Sequence, residues 1–230
     1  MKLILCGADM PQFYRKKLEN YADRVACMPE YPEIKGSTST HPDMLGYAAG
    51  NRLFIARDFY LRRRAFFDSL GCEIVPCKVA YGEYPRDVYF NVFAVGGTLF
   101  GRTDMTPPEI TGIYNKCIII KQGYAKCSTL LLGAAGVTAD KGIADALAGN
   151  GSDALLIPPG GVNLRGYGYG FIGGACVTPD GATLLPAGDL DTHPDAGRIR
   201  AFAADHGFKT DNGIPGDPLL DCGGILILEI

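Results

Sequence analysis

The stretch 128-STLLLGAAGVTADKGIADALAGNGSDALLIPP-159 decides the fold. STLLL and GVTAD read as two short strands joined around the Gly133-Ala134-Ala135-Gly136 turn. KGIADALAGNG reads as a short helix that stops at glycine, and DALLIPP as a buried strand. Two strands, a helix and a third strand make one unit. Similar units recur about five times along the 230 residues, and a recurring unit is the signature of a repeat architecture.

Working outward, the first unit is split. KLILC is a strand, PQFYRKKLENYA a helix opened by Pro11, RVACMP a strand, and GGILILEI at the C-terminal end supplies the missing strand. Joining the two chain ends in this way hides an open sheet edge. The second unit holds HPDMLGYA, the turn Ala49-Gly50-Asn51, RLFIA, a helix over 59–70 and CEIVPC. The third begins with DVYFNVFAV and TLFGR about the turn Gly96-Gly97. A helix capped by Thr106, with Pro107 at its first position, and KCIIIKQG complete it. The fifth has GFIGGACVT, the turn Pro179-Asp180-Gly181, ATLLPAG, a helix over 195–206 and a weak strand at FKT. No linker divides them, so the expectation is one α/β domain over 1–230. Its units are 1–34 plus 219–230, 36–77, 86–122, 126–159 and 168–212.

Composition excludes several function classes. Hydrophobic residues make up 47% and charged residues 20%, and the net charge of -3 argues against a nucleic-acid partner. The basic cluster Arg57, Arg62, Arg63 and Arg64 reads as a solvated helix face. MKLILCGADM has too short an apolar stretch for a signal peptide, and no run reaches the ~18 apolar residues of a membrane span. The eight cysteines are scattered without a CxxC pair, as in a reduced cytoplasmic protein. The three histidines lack metal-ligand spacing, and neither a metal nor a cofactor is expected. Gly168-Tyr-Gly170-Phe-Ile-Gly173 matches GxGxxG in spacing alone. It follows a Gly160-Gly161 loop and precedes a strand, whereas a dinucleotide site needs a strand before it and a helix after.

Several residues stand out as site candidates. His41 and Asp43 lie in HPDM, which helix capping explains poorly because MLGYAAGN lacks a helical period. His193 lies in the similar HPDA, where Pro194 and Asp195 also serve a helix start; it is kept as a ligand contact. Cys127 follows Lys126 where a loop enters a strand, and an ammonium lowers a neighbouring thiol's pKa. Cys222 occupies the same place in the closing strand pair, with Gly223 and Gly224 beside it to admit a close approach. If 87–91 is a strand, Asp87, Tyr89 and Asn91 share one face, giving either a structural network or a ligand site.

HPDM at 41–44, DVYFN at 87–91, KQGYAKCS at 121–128, GYGFIGG at 168–174 and HPDAGRI at 193–199 are similar to strings of an uncharacterised bacterial family. That family is assigned to the pentein fold of guanidino-group-modifying enzymes such as arginine deiminase, agmatine deiminase and dimethylarginine dimethylaminohydrolase. The resemblance implies a five-bladed α/β propeller of ββαβ units with pseudo-fivefold symmetry, closed by pairing of the N- and C-terminal strands. It also implies a central cavity lined by the entrance of each unit. Active members attack a guanidinium carbon with a C-terminal cysteine while a histidine moves protons and carboxylates hold the cation. By location Cys222 matches that nucleophile, and Asp43 and Asp87 match the carboxylates. The chain departs from the pattern where the enzymes carry their histidine, having Lys126-Cys127-Ser128, and at Tyr84-Pro85-Arg86, where their glycine-rich approach is absent.

Two readings of function follow. One is cysteine-dependent hydrolysis or transfer at a guanidinium or amidine carbon. There Cys222 or Cys127 is the nucleophile, His41 the acid/base, and Asp43, Asp87, Asn91, Lys126 and His193 contact the ligand. The other is a non-catalytic small-molecule binding module of the same fold.

Overall fold

The computed structural model describes residues 1–230. β1 (Lys2–Gly7), α1 (Gln12–Leu18) and β2 (Arg24–Met28) open the chain. A helical turn α2 (Pro42–Leu45) leads into β3 (Gly46–Ala49), β4 (Arg52–Ala56), α3 (Arg57–Arg62), α4 (Arg64–Asp68) and β5 (Glu73–Cys77). β6 (Phe93–Val95), β7 (Thr98–Gly101), α5 (Pro108–Thr111) and β8 (Lys116–Ile119) follow. Next come β9 (Thr129–Leu132), β10 (Ala135–Thr138), α6 (Lys141–Gly149) and β11 (Ala154–Leu156). The last group is α7 (Ile172–Ala175), β12 (Cys176–Val177), β13 (Thr183–Pro186), α8 (Ala196–Asp205), β14 (Lys209–Thr210) and β15 (Ile225–Glu229).

These strands make five three-stranded sheets: β15-β1-β2, β3-β4-β5, β6-β7-β8, β9-β10-β11 and β12-β13-β14. In each, the middle strand is antiparallel to one neighbour and parallel to the other, which returns after a helical crossover. The split first unit takes this form because β1 pairs with β15 from Lys2↔Glu229 to Cys6↔Ile225. Tight hairpin turns fall where glycine supplies positive φ, as at Gly50 (61°) and Gly133 (62°). Helices bury one stripe against their sheet. In α6, Ile143 and Leu147 are buried one turn apart, and the Asp140 side chain accepts from Ile143 N at the N-terminus. That cap stabilises by about 1 kcal/mol. The largest core cluster gathers Phe54, Phe59, Phe67 and Phe90. Each such buried side chain stabilises by roughly 1.5–3 kcal/mol.

Local structure differs from the sequence expectation at five places. The helix over 59–70 is broken at Arg63 (φ -123°, ψ 28°), and the break leaves Phe59 and Phe67 both buried with ring centroids 5.1 Å apart. The helix after Thr106 is a single turn; the Thr106 hydroxyl donates to Arg102 O at 3.1 Å instead of capping it. HPDM is helical after all, with Pro42 in the first turn of α2. FIGGA, expected as strand, forms the turn α7. Residues 87–92 are turns rather than strand, so Asp87, Tyr89 and Asn91 do not share a face by strand alternation. Asn91 instead makes bonds to other units that an extended chain would forgo, described below. All eight cysteines are free thiols, and no helix is long and apolar enough to cross a membrane.

Candidate functional site

The segment ahead of each sheet's outer hairpin strand turns inward, and these five segments hold one another. Asp43 N donates to Gly223 O (3.4 Å), Gly224 N to Gly174 O (3.0 Å), and Gly174 N to Cys127 O (3.1 Å). Cys127 N then donates to Asn91 Oδ1 (3.2 Å), and Asn91 Nδ2 donates to Asp43 O (3.3 Å). The circuit passes once through the approaches to β3, β15, β12, β9 and β6. Glycine is required where backbones come this close. A Cβ on Gly174 would collide with the Asp221 carboxylate, and one on Gly223 (φ 74°) with the His41 ring. This is the local reason for the GYGFIGG and DCGG strings.

On one side of the circuit lies a cavity of about 880 Å³, within the size range of small-molecule sites. His41, Cys127 and Asp221 stand together among its lining side chains. Its walls carry the rings of Tyr81, Tyr124 and Phe171 and the exposed Tyr84, Tyr167 and Tyr169. Four carboxylates, Glu33, Glu83, Asp87 and Asp221, line it against two cations, Lys35 and Arg86. Asp87 Oδ2 accepts from the Tyr124 hydroxyl at 2.7 Å, while its buried Oδ1 has no partner.

Cys127 Sγ is held between two polar groups. Its thiol donates to Asp43 Oδ2 at 2.9 Å, and Asn91 Nδ2 approaches the sulfur at 2.9 Å. Burial pushes the Cys127 pKa well up, and the Asp43 and Asp221 charges push it further. Burial likewise raises Asp43 to about 6, with the Asp221 charge adding to it and His41 opposing it. Asp221 is raised by burial against the pull of His41 and of two amides, Phe171 N and Gly223 N, at 2.9 and 3.0 Å. His41 is 1% exposed, with Nδ1 3.8 Å from Asp221 Oδ1, Nε2 4.0 Å from Asp9 Oδ2, and no hydrogen bond to Nε2. An imidazole with carboxylates 3.8 and 4.0 Å away, and a thiol donating to a carboxylate, thus line one cavity and bring proton donors and acceptors to it.

The structure therefore brings His41, Asp43, Asn91 and Cys127 together, with Asp87 on the wall of the same cavity. It does not bring the others there. Cys222 is fully buried among Ile4, Cys6 and Ile225, its thiol 3.6 Å from Leu220 O and pushed up by burial. His193 sits apart, with Nε2 3.2 Å from Gly160 O and Nδ1 accepting from Asp195 N. Lys126 lines a second, smaller cavity. Asp221 and the aromatic wall were missed from sequence. The glycine that Asp221 packs against is the signal that points to it, since Gly174 lies within GYGFIGG. No group of three His, Cys, Asp or Glu side chains is arranged to hold a metal ion.

Comparison with known proteins adds three findings. The model of a family described as of unknown function, DUF6873, matches residues 5–226. No curated protein matches the sequence. Among solved structures, a dimethylarginine dimethylaminohydrolase adduct with 4-chloro-2-hydroxymethylpyridine is 12% identical, with 91% of each chain covered and a TM-score of 0.51. A histidine-to-glycine variant of a dimethylarginine dimethylaminohydrolase, as its adduct with S-methyl-L-thiocitrulline, is 14% identical, with 90% of each chain covered and a TM-score of 0.52. At such identities the likeness shows the fold: the α/β architecture is that of the penteins.

Proposed function

We propose that this chain, which belongs to the DUF6873 family, is a single pentein domain that binds a guanidino- or amidine-bearing small molecule in its large cavity and attacks it with Cys127. The five sheets are taken to stand around one axis as a propeller. The hydrogen-bond circuit through all five sheet entrances supports that arrangement. Carboxylates in excess over cations, set among aromatic faces, suit a delocalised cation. The observation that carries the chemistry is the Cys127 thiol donating to Asp43, with His41 and Asp221 lining the same cavity. Eight free thiols fit a reducing compartment, and the protein is assigned to the cytoplasm.

In the proposed step the Cys127 thiol gives its proton to Asp43, and the sulfur adds to the amidinium carbon. The C–N bond then breaks, and protonated His41 delivers its proton to the departing amine. Water adds to the carbon of the resulting thiouronium or thioimidate, giving up a proton to His41. The C–S bond breaks, the sulfur recovers its proton from Asp43, and the O–H proton of the released product passes to the departing amine or solvent, leaving a neutral urea or amide and an ammonium. The products are an amine and a urea or amide. Binding a cation beside Cys127 also opposes the carboxylate charges that hold the thiol protonated. A second reading, a non-catalytic binding module, is favoured by one observation: burial and nearby carboxylates keep both Cys127 and Cys222 as neutral thiols.

The test is the alkylation rate of each cysteine between about pH 6 and 9, read by peptide mass spectrometry with and without alkylguanidines and benzamidine. Exposed Cys117 reacts regardless of ligand and serves as the internal control. Protection of Cys127 by a guanidino or amidine compound, with release of amine, supports the enzyme. Protection without turnover selects the binder. If no such compound protects Cys127, the cation site itself is refuted.

A further inference from the structure

A second cavity adjoins the circuit: Lys126 and Asp43 line it, whereas Cys127, the neighbour of Lys126, lines the first. Its volume is about 310 Å³. Phe90, Val92, Phe93, Leu131, Ile225 and Leu226 give it apolar walls. The paired hydroxyls of Tyr47 and Tyr114 stand in its lining, and half-buried Ala48 and Ala94 are among its more exposed residues. Two charged side chains reach it, Asp43 and Lys126.

These two charges are unlike in sign and do not pair. Asp43 is wholly buried, and its Oδ1 has no hydrogen-bond partner, because Oδ2 alone serves Cys127. Lys126 and Asp43 share the cavity without a salt bridge, each charge favouring the ionised form of the other. The wholly buried acceptor on Asp43 is costly to leave open and calls for a partner, and half-buried Lys126 brings a positive charge to the same lining. A partner here must offer a donor to Asp43 and an acceptor to Lys126, without adding net charge, and must carry an apolar body. An α-amino acid zwitterion meets all three conditions. We propose that this cavity is a binding site for an apolar α-amino acid of about the size of leucine. The ammonium donates to Asp43 Oδ1, the carboxylate accepts from Lys126 Nζ, and the side chain packs on the Phe and Ile/Leu walls. This site is distinct from the guanidino cavity and does not depend on that reading.

The experiment is calorimetric titration of the full chain with L-leucine, 4-methylpentanoate and 3-methylbutylamine, compounds that share an apolar body and differ in the head group. Leucine is expected to bind, with each single-charge analogue weaker by roughly tenfold or more, the loss of one charge-assisted hydrogen-bond set. Ala94→Phe, which fills the cavity without touching either charge, is expected to abolish leucine binding while the protection of Cys127 by its own ligand survives. A crystal soak with L-selenomethionine gives an independent readout: an anomalous selenium peak between Phe93 and Leu226 supports the site even if Ala94→Phe fails to fold. If 4-methylpentanoate binds as tightly as leucine, the pocket is a simple carboxylate site and the zwitterion reading is overturned. Selenium density confined to the large cavity, or no binding by leucine up to about 10 mM, overturns the proposal as well.

Discussion

Ahead of β9 the chain runs Lys126-Cys127-Ser128, and ahead of β15 it runs Asp221-Cys222-Gly223. At the first, the cysteine faces the large cavity and the residue before it faces away. At the second, Asp221 faces the cavity and Cys222 turns into the core against Ile4 and Cys6. Residues 125–128 form a turn, closed by Ser128 N to Tyr124 O, whereas Asp221 and Cys222 lead into β15 without one, so the two local backbones send neighbouring side chains to different places. Two cysteines at equivalent-looking places thus have different chemistry: one has a carboxylate and an amide within 2.9 Å, the other only Leu220 O at 3.6 Å. Being the C-terminal cysteine is a matter of position along the chain; reaching the cavity depends on the local backbone.

The sharpest way to break this comparison is to remove each thiol. With a guanidino compound that protects Cys127, Cys127→Ala is expected to lower amine release by roughly a thousandfold or more. Cys222→Ala is expected to stay within about threefold of the parent kcat, since it shortens a side chain buried among Ile4, Cys6 and Ile225, away from the cavity. Equal losses would erase the distinction.

A second effect concerns the acceptor that only Cys127 has. Folded Asp43 keeps its proton up to about pH 6, against 3.8 for an unperturbed carboxyl. The folded state therefore binds the extra proton between those values, and this contribution is full below about pH 4 and lost as pH rises through about 6. The Asp43 contribution is roughly 2–3 kcal/mol. Urea unfolding from pH 4 to 7 is expected to show that decline in the parent and not in Asp43→Asn. Parallel curves would mean that Asp43 ionises normally beside Cys127.

The smallest effect separates the two sites by what a hydroxyl finds there. Cys127→Ser retains an acceptor in Asp43 and a donor in Asn91, whereas Cys222→Ser buries a hydroxyl with only a distant carbonyl. The second substitution is expected to cost about 1–2 kcal/mol more than the first, measured as the difference in urea midpoints at equal m-value. Equal costs would place both thiols in equivalent surroundings.

Sheets were legible in the sequence and entrances were not, for one physical reason. Strands such as TLLL and RLFIA are specified by their own apolar run and by the turn glycine beside them, both local signals. All five sheets appear where those signals fall. The entrances are specified by other units. Residues 87–92 carry strand-forming Val, Tyr and Phe, yet they turn because Asn91 serves Asp43 O and the amides of Lys126 and Cys127. The same holds for His41, whose flanking carboxylates come from segments 32 residues earlier and 180 later in the chain (41 − 9 and 221 − 41). Single residues could be named as candidates, but their grouping arises only when distant segments meet.

The pairing of β1 with β15 also has a consequence in time. Leu3 faces Leu228 and Leu5 faces Leu226, partners from opposite ends of the chain. During synthesis β1 leaves the ribosome with one hydrogen-bonding edge open, and its antiparallel neighbour β15 is made only after β2 to β14. The other four sheets assemble from contiguous segments and can form while the chain is still growing. The first cannot, and contacts of such long sequence separation are the slow ones. The approach to β15 also supplies Gly223 and Gly224 to the circuit and Asp221 to the cavity. The circuit is thus closed only when the approach to β15 joins it, and from the time Cys127 is made it waits for Phe171 and Asp221 to complete the cavity beside it.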